Sequence, residues 1–558
     1  MNTKKITLII LILLTAGIGL ISFNNNDQKN FEIAKNLDIY FTLFNELNTF
    51  YVDEIDPSEL VKSSIDEMLI SLDPYTNYIS EESMEDFRFM TTGEYAGIGA
   101  LIGKQNGKIV ISEPYEGYPA QKNGLKAGDI LLEVSGKSTE NMTTEDVSSL
   151  LKGPARKPVT LKIQRPGEKK PFEKEIIREK ITIDAVPYYG MLNETTGYIR
   201  LSNFTQDCSR EVRKALQELK AQNKPESLVL DLRSNPGGLL IEAVRTMNLF
   251  VPPGQDIVST KGKVKQWDKT YTTNAQPVDS TIRIAVLVNR NSASASEIIA
   301  GAMQDLDRGL IIGNKTFGKG LVQTTRDLSY NAKLKVTTAK YYIPSGRCIQ
   351  ILDYSHRNED GSVGAIPDSL ISEYTTTNGR IVYDGGGVAP DVPVDQESLS
   401  TLSYELVSRF LIFDFATLFA NSHESIAEPE EFKITDDIYA DFITFVKEKG
   451  FEYESESQDI IKELVKTAKR EKYYDTATNE FKALEEKLTP HLENDLKKFR
   501  AELSELLEDE IVSRYYYQKG AIRAAIDDDQ VIEKALEILN DEDVYANCFK
   551  PGTVIKSN

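Results

Sequence analysis

Histidine and cysteine are nearly absent, with three of each in 558 residues. The cysteines, Cys208, Cys348 and Cys548, stand far apart with no C-x-x-C and no Cys/His spacing, which argues against a structural zinc site or a disulfide framework. An odd count forbids complete intrachain pairing, so buried single thiols are expected. His356 lies in a polar loop and His423 and His491 in the charged tail, all C-terminal to the candidate core motifs described below, so a Ser-His-Asp triad has little support. Positive charge is also in deficit: 65 Lys and Arg stand against 86 Asp and Glu, a net charge of -21. Such a chain repels phosphate backbones, and nucleic acid is not an expected partner. Neither a metal nor an organic cofactor is indicated.

One long apolar run is present. Ile6 to Phe23 carries 18 residues without a charge, behind Lys4 and Lys5, and reads as an export signal. The residues after about position 27 are therefore expected outside the cytoplasm, in the periplasm or cell envelope. No lipobox cysteine and no small-x-small site precede Asn24, which leaves residues 1–26 open as a cleaved signal peptide or as an N-terminal anchor giving membrane association.

The remaining length exceeds what one core supports and predicts roughly two to four units. Residues 27–90 show helical spacing, at Leu43, Leu47 and Tyr51 and again from Leu60 to Leu72, before the turn signal Leu72-Asp73-Pro74. Residues 91–181 change to short strands and glycine turns around Ile98 to Ile102, Ile109 to Ile111, Ile130 to Val134 and Val159 to Ile163. One helix with a capping-box-like start at Thr143 and Asp146 interrupts this β-rich module. Over residues 182–395 the pattern is βαβαβ: strand Ser227 to Arg233, helix Leu239 to Phe250, strand Arg283 to Asn289, helix Ala295 to Leu306, strand Leu310 to Gly313. That alternation predicts a parallel or mixed α/β sheet. Residues 396–558 are acidic and helical in pattern, and read as a separate, solvated helical extension.

Chemistry gathers at the carboxyl ends of the core strands, where open α/β sheets place ligands. Asn291-Ser-Ala-Ser-Ala-Ser-Glu297 joins a strand to a helix, so its serines lie at a helix start, where free N–H groups point outward. An N-cap cluster explains the same residues. Asn235-Pro-Gly-Gly238 follows another strand with N–H groups that a ligand can reach, and the two loops together can build an oxyanion hole. With histidine scarce, the candidate base is Lys319, set between Gly318 and Gly320 and 25 positions after Ser294. Burial must lower its pKa by roughly three units for that role. Gln323, an uncharged acceptor four residues on, is a candidate to hold the lysine nitrogen; a solvent-facing strand glutamine is the alternative. Gly313-x-x-x-x-Gly318-Lys319 nearly spells a phosphate loop, but Gly320 cannot ligate magnesium and Leu321 to Asp327 reads as a strand. In the β-rich module, Gly97-Ile98-Gly99-Ala100 has the makings of a backbone cradle for a terminal carboxylate beside a sheet edge; a bare glycine turn is the alternative.

These residues resemble the carboxyl-terminal processing peptidases, or tail-specific proteases. The shared motifs are Leu72-Asp-Pro-Tyr-Thr, Gly97-Ile-Gly, the Gly124 to Ile130 run, Asp231-Leu-Arg-Ser-Asn-Pro-Gly-Gly238, Ser292-Ala-Ser-Ala-Ser-Glu297 and Thr316-Phe-Gly-Lys-Gly320. Thr337 to Arg347 and Gly385-Gly-Gly-Val-Ala-Pro-Asp391 continue them. The resemblance implies a crotonase-like (ClpP/crotonase) α/β core with an inserted PDZ domain at residues 91–181, and a serine endopeptidase. Ser294 would be its nucleophile, Lys319 its general base and Gln323 the residue orienting the lysine. It further implies an oxyanion hole formed by the N–H of Ala295 and that of Gly237 or Gly238, a choice left open. Pro236 and Tyr75 depart from the family, which often has glycine and histidine there. Expected partners are protein or peptide substrates with free, mostly apolar C-termini. An activating partner protein and a homo-oligomer are further partners open to such a chain. A silent PDZ scaffold and an acyl-CoA enzyme are rival readings, opposed by the complete Ser/Lys/Gln set and by export.

Overall fold

In the computed structural model, which describes residues 28–395 and 398–552, two helices come first: α1 over residues 28–50 and α2 (Pro57–Ile70). Helix α2 starts where Asp56 accepts from the N–H groups of Ser58 and Glu59, with Pro57 in the first turn. Helix α1 leaves Phe31, Leu37, Phe41 and Leu43 exposed. The apolar run Ile6 to Phe23 lies outside the described residues, and among the described residues no helix is long and apolar enough to cross a membrane. The segment expected to be helical also holds a strand. Asp73 accepts from the N–H groups of Tyr75 and Thr76, both at 2.8 Å, and turns the chain into β1 (Asn77–Ile79), which pairs with residues 333–335 of the core. Helix α3 (Met84–Thr92) follows.

Alternation of apolar and polar residues builds the next unit as a half-buried antiparallel sheet. Its elements are β2 (Glu94–Gly97), β3 (Ala100–Gln105), β4 (Lys108–Pro114), α4 (Pro119–Lys122), β5 (Ile130–Val134), β6 (Lys137–Ser138), α5 (Thr144–Leu151), β7 (Pro158–Gln164), β8 (Phe172–Ile177) and β9 (Glu179–Thr182). The sheet runs β3-β4-β5-β7-β8, with β6 on β5, and β2 pairs with β9 to form the neck that joins the unit to the core. Thr143 and Asp146 form the expected capping box, Asp146 N to Thr143 Oγ1 at 3.1 Å and Thr143 N to Asp146 Oδ2 at 2.9 Å. Ile109, Ile111, Leu131, Val147, Leu161 and Ile163 fill its core.

The core runs β10 (Tyr188–Met191), β11 (Thr196–Arg200), α6 (Cys208–Gln222), β12 (Ser227–Asp231), α7 (Leu240–Met247), β13 (Asp256–Gly262), β14 (Lys269–Thr272), β15 (Arg283–Val288), α8 (Ala295–Asp305), β16 (Leu310–Gly313), β17 (Leu321–Asp327) and β18 (Lys333–Tyr342). Two short hairpins, β19 (Leu352–Arg357) with β20 (Val363–Ala365) and β21 (Glu373–Thr375) with β22 (Ile381–Tyr383), precede β23 (Val392–Pro393). The main sheet has the order β10-β11-β12-β15-β16-β23; all its pairs are parallel except β10 with β11. Every residue of β12 is buried, which is why it reads as a continuous apolar run rather than an alternating one. A second sheet, β1-β18-β13-β14 with β17 on β18, stands beside it. Helices α6, α7 and α8 cover one face of the main sheet through Val212, Leu216, Met247, Ile299 and Met303.

The chain continues as α9 (Thr401–Ser408), α10 (Leu411–Ser422), α11 (Asp436–Glu448), α12 (Glu456–Arg470), α13 (Thr478–Leu488), α14 (Leu492–Lys498), α15 (Arg500–Ile526), α16 (Gln530–Leu539) and α17 (Glu542–Asn547). Phe415, Phe442, Leu496, Leu503 and Leu507 give these helices a core of their own. The tail, read as a separate helical extension, also docks on the core. Val531, Ile532, Ala535, Ile538 and Leu539 of α16 bury against Tyr198, Val229, Leu287 and Ile312, on the main-sheet face opposite α6 to α8. A parallel sheet needs both faces covered, and α16 supplies the second cover. Helix α15 breaks at Tyr517, where φ is 56° and ψ -164°.

Candidate active site

Ser294 sits between β15 and the fully buried helix α8, with φ 56° and ψ -110°, a strained turn for a residue with a side chain. Strain of this kind is retained where the surroundings fix it, and here Glu297 does so. Its buried carboxylate accepts from the backbone N–H groups of Ser294 (2.8 Å) and Lys319 (2.9 Å) through Oε2, and from Gly318 N (2.7 Å) and Thr316 Oγ1 (2.6 Å) through Oε1. Burial pushes this carboxyl up, and the four donors pull against that shift. The sequence carried a signal for it, a glutamate three places after the serine, in the capping-box position.

The second loop meets the serine turn closely. A Cβ on Gly237, whose φ is +97°, would stand 2.6 Å from Ala293 O and 2.8 Å from both Ala295 N and Ser294 Cβ. Asn235 holds the loop: its Nδ2 donates to Leu201 O, its carbonyl accepts from Ala293 N and Ser296 Oγ, and its Oδ1 accepts from Gly237 N at 2.9 Å. The Gly237 N–H is thus committed within the loop. The Gly238 N–H and the Ala295 N–H have no acceptor among the described residues.

Lys319, Gln323 and Ser294 line one cavity of about 600 Å³, together with Gly237 and Gly238. Phe87, Met90, Leu240, Ile298, Val322 and Tyr341 make most of its wall apolar. Burial, then the nearby Lys335 charge, lower the Lys319 pKa to about 8, while Glu297 and Asp73 oppose the shift. Lys319 Nζ lies 4.1 Å from the centroid of the Tyr75 ring. No hydrogen bond joins it to Ser294 Oγ or to Gln323 among the described residues. Gln323 Nε2 instead donates to Thr337 Oγ1 at 3.1 Å, and Thr337 N in turn donates to Thr76 Oγ1. The turn at residues 73–76 therefore belongs to this site, a placement that its position in the sequence did not reveal.

The three histidines lie elsewhere, all exposed. Among the described residues no group of His, Cys, Asp and Glu could hold a metal ion. Cys208 and Cys548 are buried, Cys348 half-buried, and none is bridged.

In the β-rich unit, Gly97, Ile98, Gly99 and Ala100 form the link from β2 to β3, and β3 is an edge strand of its sheet. Gly99 has φ +74°, and a Cβ there would stand 2.5 Å from Tyr118 Cβ. The Tyr95 hydroxyl lies against the N–H groups of Gly99 and Ala100, and burial raises its pKa.

Ser294 in its strained turn and the half-buried Lys319 thus line one cavity at the carboxyl ends of parallel strands. The model of peptidase family S41 matches residues 195–353, that of a PDZ domain residues 110–165, and that of the C-terminal helical domain of a probable PDZ-protease residues 402–539. A carboxy-terminal-processing protease of Bartonella bacilliformis is 36% identical over 352 residues, 62% of this chain and 77% of that protein. The chain belongs to the carboxy-terminal-processing proteases of peptidase family S41. A probable CtpA-like serine protease of Staphylococcus aureus, another such relative, is 36% identical over 350 residues, 62% of this chain and 68% of that one. Among solved structures, the photosystem II D1 C-terminal processing protease is 29% identical with a TM-score of 0.36, over 65% of this chain and 94% of that chain. As an S41 protease the chain is a serine peptidase that carries a PDZ domain and a helical C-terminal domain.

Proposed function

We propose that this protease cleaves peptide bonds with a Ser294/Lys319 dyad and selects substrates by a free, apolar C-terminus held in its PDZ domain. The observation that carries the reading is the shared anchoring of Ser294 and Lys319 on Glu297 at the mouth of one apolar cavity. Neutral Lys319 takes the Ser294 proton as Oγ attacks the scissile carbonyl carbon. The oxyanion is met by the N–H groups of Gly238 and Ala295; Gly237, whose N–H already serves Asn235, is set aside. Protonated Lys319 then gives its proton to the leaving amine, and water, deprotonated by the same lysine, releases the acyl group.

The position of Lys319 over Tyr75 is read as a resting arrangement, since catalytic hydrogen bonds are often loose without substrate. Gln323 Oε1, left over when Nε2 donates to Thr337, is the acceptor that would hold the lysine once it swings to the serine. The apolar wall suits an uncharged side chain at the residue before the cut. A substrate tail would add to the free edge of β3, its carboxylate displacing the Tyr95 hydroxyl from the N–H groups of Gly99 and Ala100 in the Gly97 to Ala100 link. The parallel main sheet with its helical cover supports a crotonase-like core, and the apolar run Ile6 to Phe23 supports action outside the cytoplasm. The test is cleavage of an unfolded reporter ending in an apolar or a charged tail, by the parent and by Ser294→Ala. Cleavage by the parent alone, faster on the apolar tail, is expected; equal cleavage by both proteins would refute the assignment.

A further inference from the structure

We infer that Asp529, at the start of α16 in the C-terminal helical domain, is a positioning residue for the loop that carries the oxyanion-binding N–H groups. The inference rests on the proposed roles of Ser294 and Gly238. Arg233 stands one residue before Ser234, which has φ +58°, and leads directly into Asn235-Pro-Gly-Gly238. Its guanidinium is gripped from two sides. Nε and NH2 donate to Asp231 at 3.0 and 2.7 Å, and NH1 pairs with Asp529 Oδ2 at 2.6 Å.

The division of labour within Asp529 is specific. Its Oδ1 accepts from Val531 N (2.9 Å) and Ile532 N (3.1 Å) and so caps α16, which leaves Oδ2 for Arg233. Helix α16 is itself fixed on the main sheet by its apolar stripe, and the Tyr545 hydroxyl contacts Ile284 N and O at 3.0 and 3.2 Å. The carboxylate thus reaches the loop from a rigid support.

Charge explains why it is needed. Asp231, fully buried, already accepts from Tyr198 OH, from Arg200 NH1 at 3.2 Å and from Arg233. With Asp529 the cluster holds two carboxylates and two guanidinium groups; without it, one carboxylate serves two cations, of which Arg233 is buried and Arg200 only partly exposed. Arg233 would then draw toward solvent and pull on the backbone step into the loop, against the single bond of its own N–H to Asp231 Oδ1 at 2.9 Å. Small misplacements of reacting groups cost large factors in rate.

The experiment compares the full chain with Asp529→Asn, which keeps an oxygen to cap α16 but loses the charge, and with Phe442→Ala, which opens the C-terminal helices' own core away from α16 and Arg233. Each is assayed for kcat and KM on a reporter, for its rate of inactivation by a serine-directed fluorophosphonate, and for Tm. Asp529→Asn is expected to lower kcat and the inactivation rate about tenfold, with KM within about twofold and Tm lowered by the loss of a largely buried ion pair. Phe442→Ala should lower Tm at least as much and keep parental kcat. Parental rates in Asp529→Asn would overturn the inference, as would an equal loss of kcat in Phe442→Ala. Ser294→Ala separates the two claims: if it is labelled as fast as the parent, the catalytic reading fails, whatever Asp529 does.

Discussion

The backbone N–H groups of Ser294 and Lys319 donate to one oxygen, Oε2 of Glu297, at 2.8 and 2.9 Å. The distance between two loops that are 25 positions apart is thereby set by one buried side chain rather than by either loop. Glu297→Gln places an amide NH2 against one of the two donor pairs, leaving N–H facing N–H in a buried site. A loss of about 3 kcal/mol in stability and of about 100-fold in kcat is expected, measured by chemical denaturation and by reporter cleavage.

The pH profile follows from the lysine. Neutral Lys319 is the active form, and its pKa is lowered to about 8. kcat/KM should therefore rise with pH and level off above about 8, falling about tenfold per unit on the acid side. Lys335 contributes to the lowering, so Lys335→Met should move the acid limb to higher pH. A limb that does not move, in a variant of unchanged Tm, would remove Lys335 from the account.

Tyr75 acts in the opposite sense. An aromatic face 4.1 Å from Nζ favours the ammonium form by about 0.5–1 kcal/mol. Tyr75→Leu should move the acid limb to lower pH and raise kcat/KM at pH 7 about two- to fivefold, whereas Tyr75→Phe should leave both near parental values.

Much of this architecture is legible in the sequence, and the reasons differ by element. The strands Ile130–Val134 and Leu310–Gly313 lie where their apolar runs predict, because buried strands tolerate little else. The Thr143/Asp146 cap is local chemistry and forms as read. The strand β1 was not legible: three residues, Asn77-Tyr-Ile79, carry too little periodicity, and their pairing partner lies more than 250 residues away. The docking of α16 was hidden by the acidic composition around it, although its own apolar stripe required a partner. The motif residues of the site were visible, but their mutual geometry depends on Glu297 and on the Tyr75 ring, both set by tertiary packing.

The glycine loop gives a prediction of its own. Gly238 has φ +146°, and a Cβ there would press on the Phe204 carbonyl, while one on Gly237 meets the nucleophile turn. Gly237→Ala and Gly238→Ala should each lower kcat about 100-fold or more, with fluorophosphonate labelling slowed in parallel. Parental labelling in either variant would contradict the close packing of the two loops.

Tail recognition is tested apart from chemistry. Gly99→Val introduces a β-branched side chain at φ +74° against Tyr118. It should weaken binding of a fluorescent peptide with a free apolar C-terminus about tenfold or more, to the level of the amidated peptide. Fluorophosphonate labelling of Ser294 should remain near that of the parent.

The dyad is the central claim, and it is tested most directly by the region after about residue 27 acting on an unfolded reporter with an apolar tail, beside Ser294→Ala and Lys319→Met. The account predicts cleavage by the parent, none by either variant, and fluorophosphonate incorporation at Ser294 that is fast in the parent and slow in Lys319→Met. Cleavage by Lys319→Met at the parental rate and with the parental pH profile would contradict it.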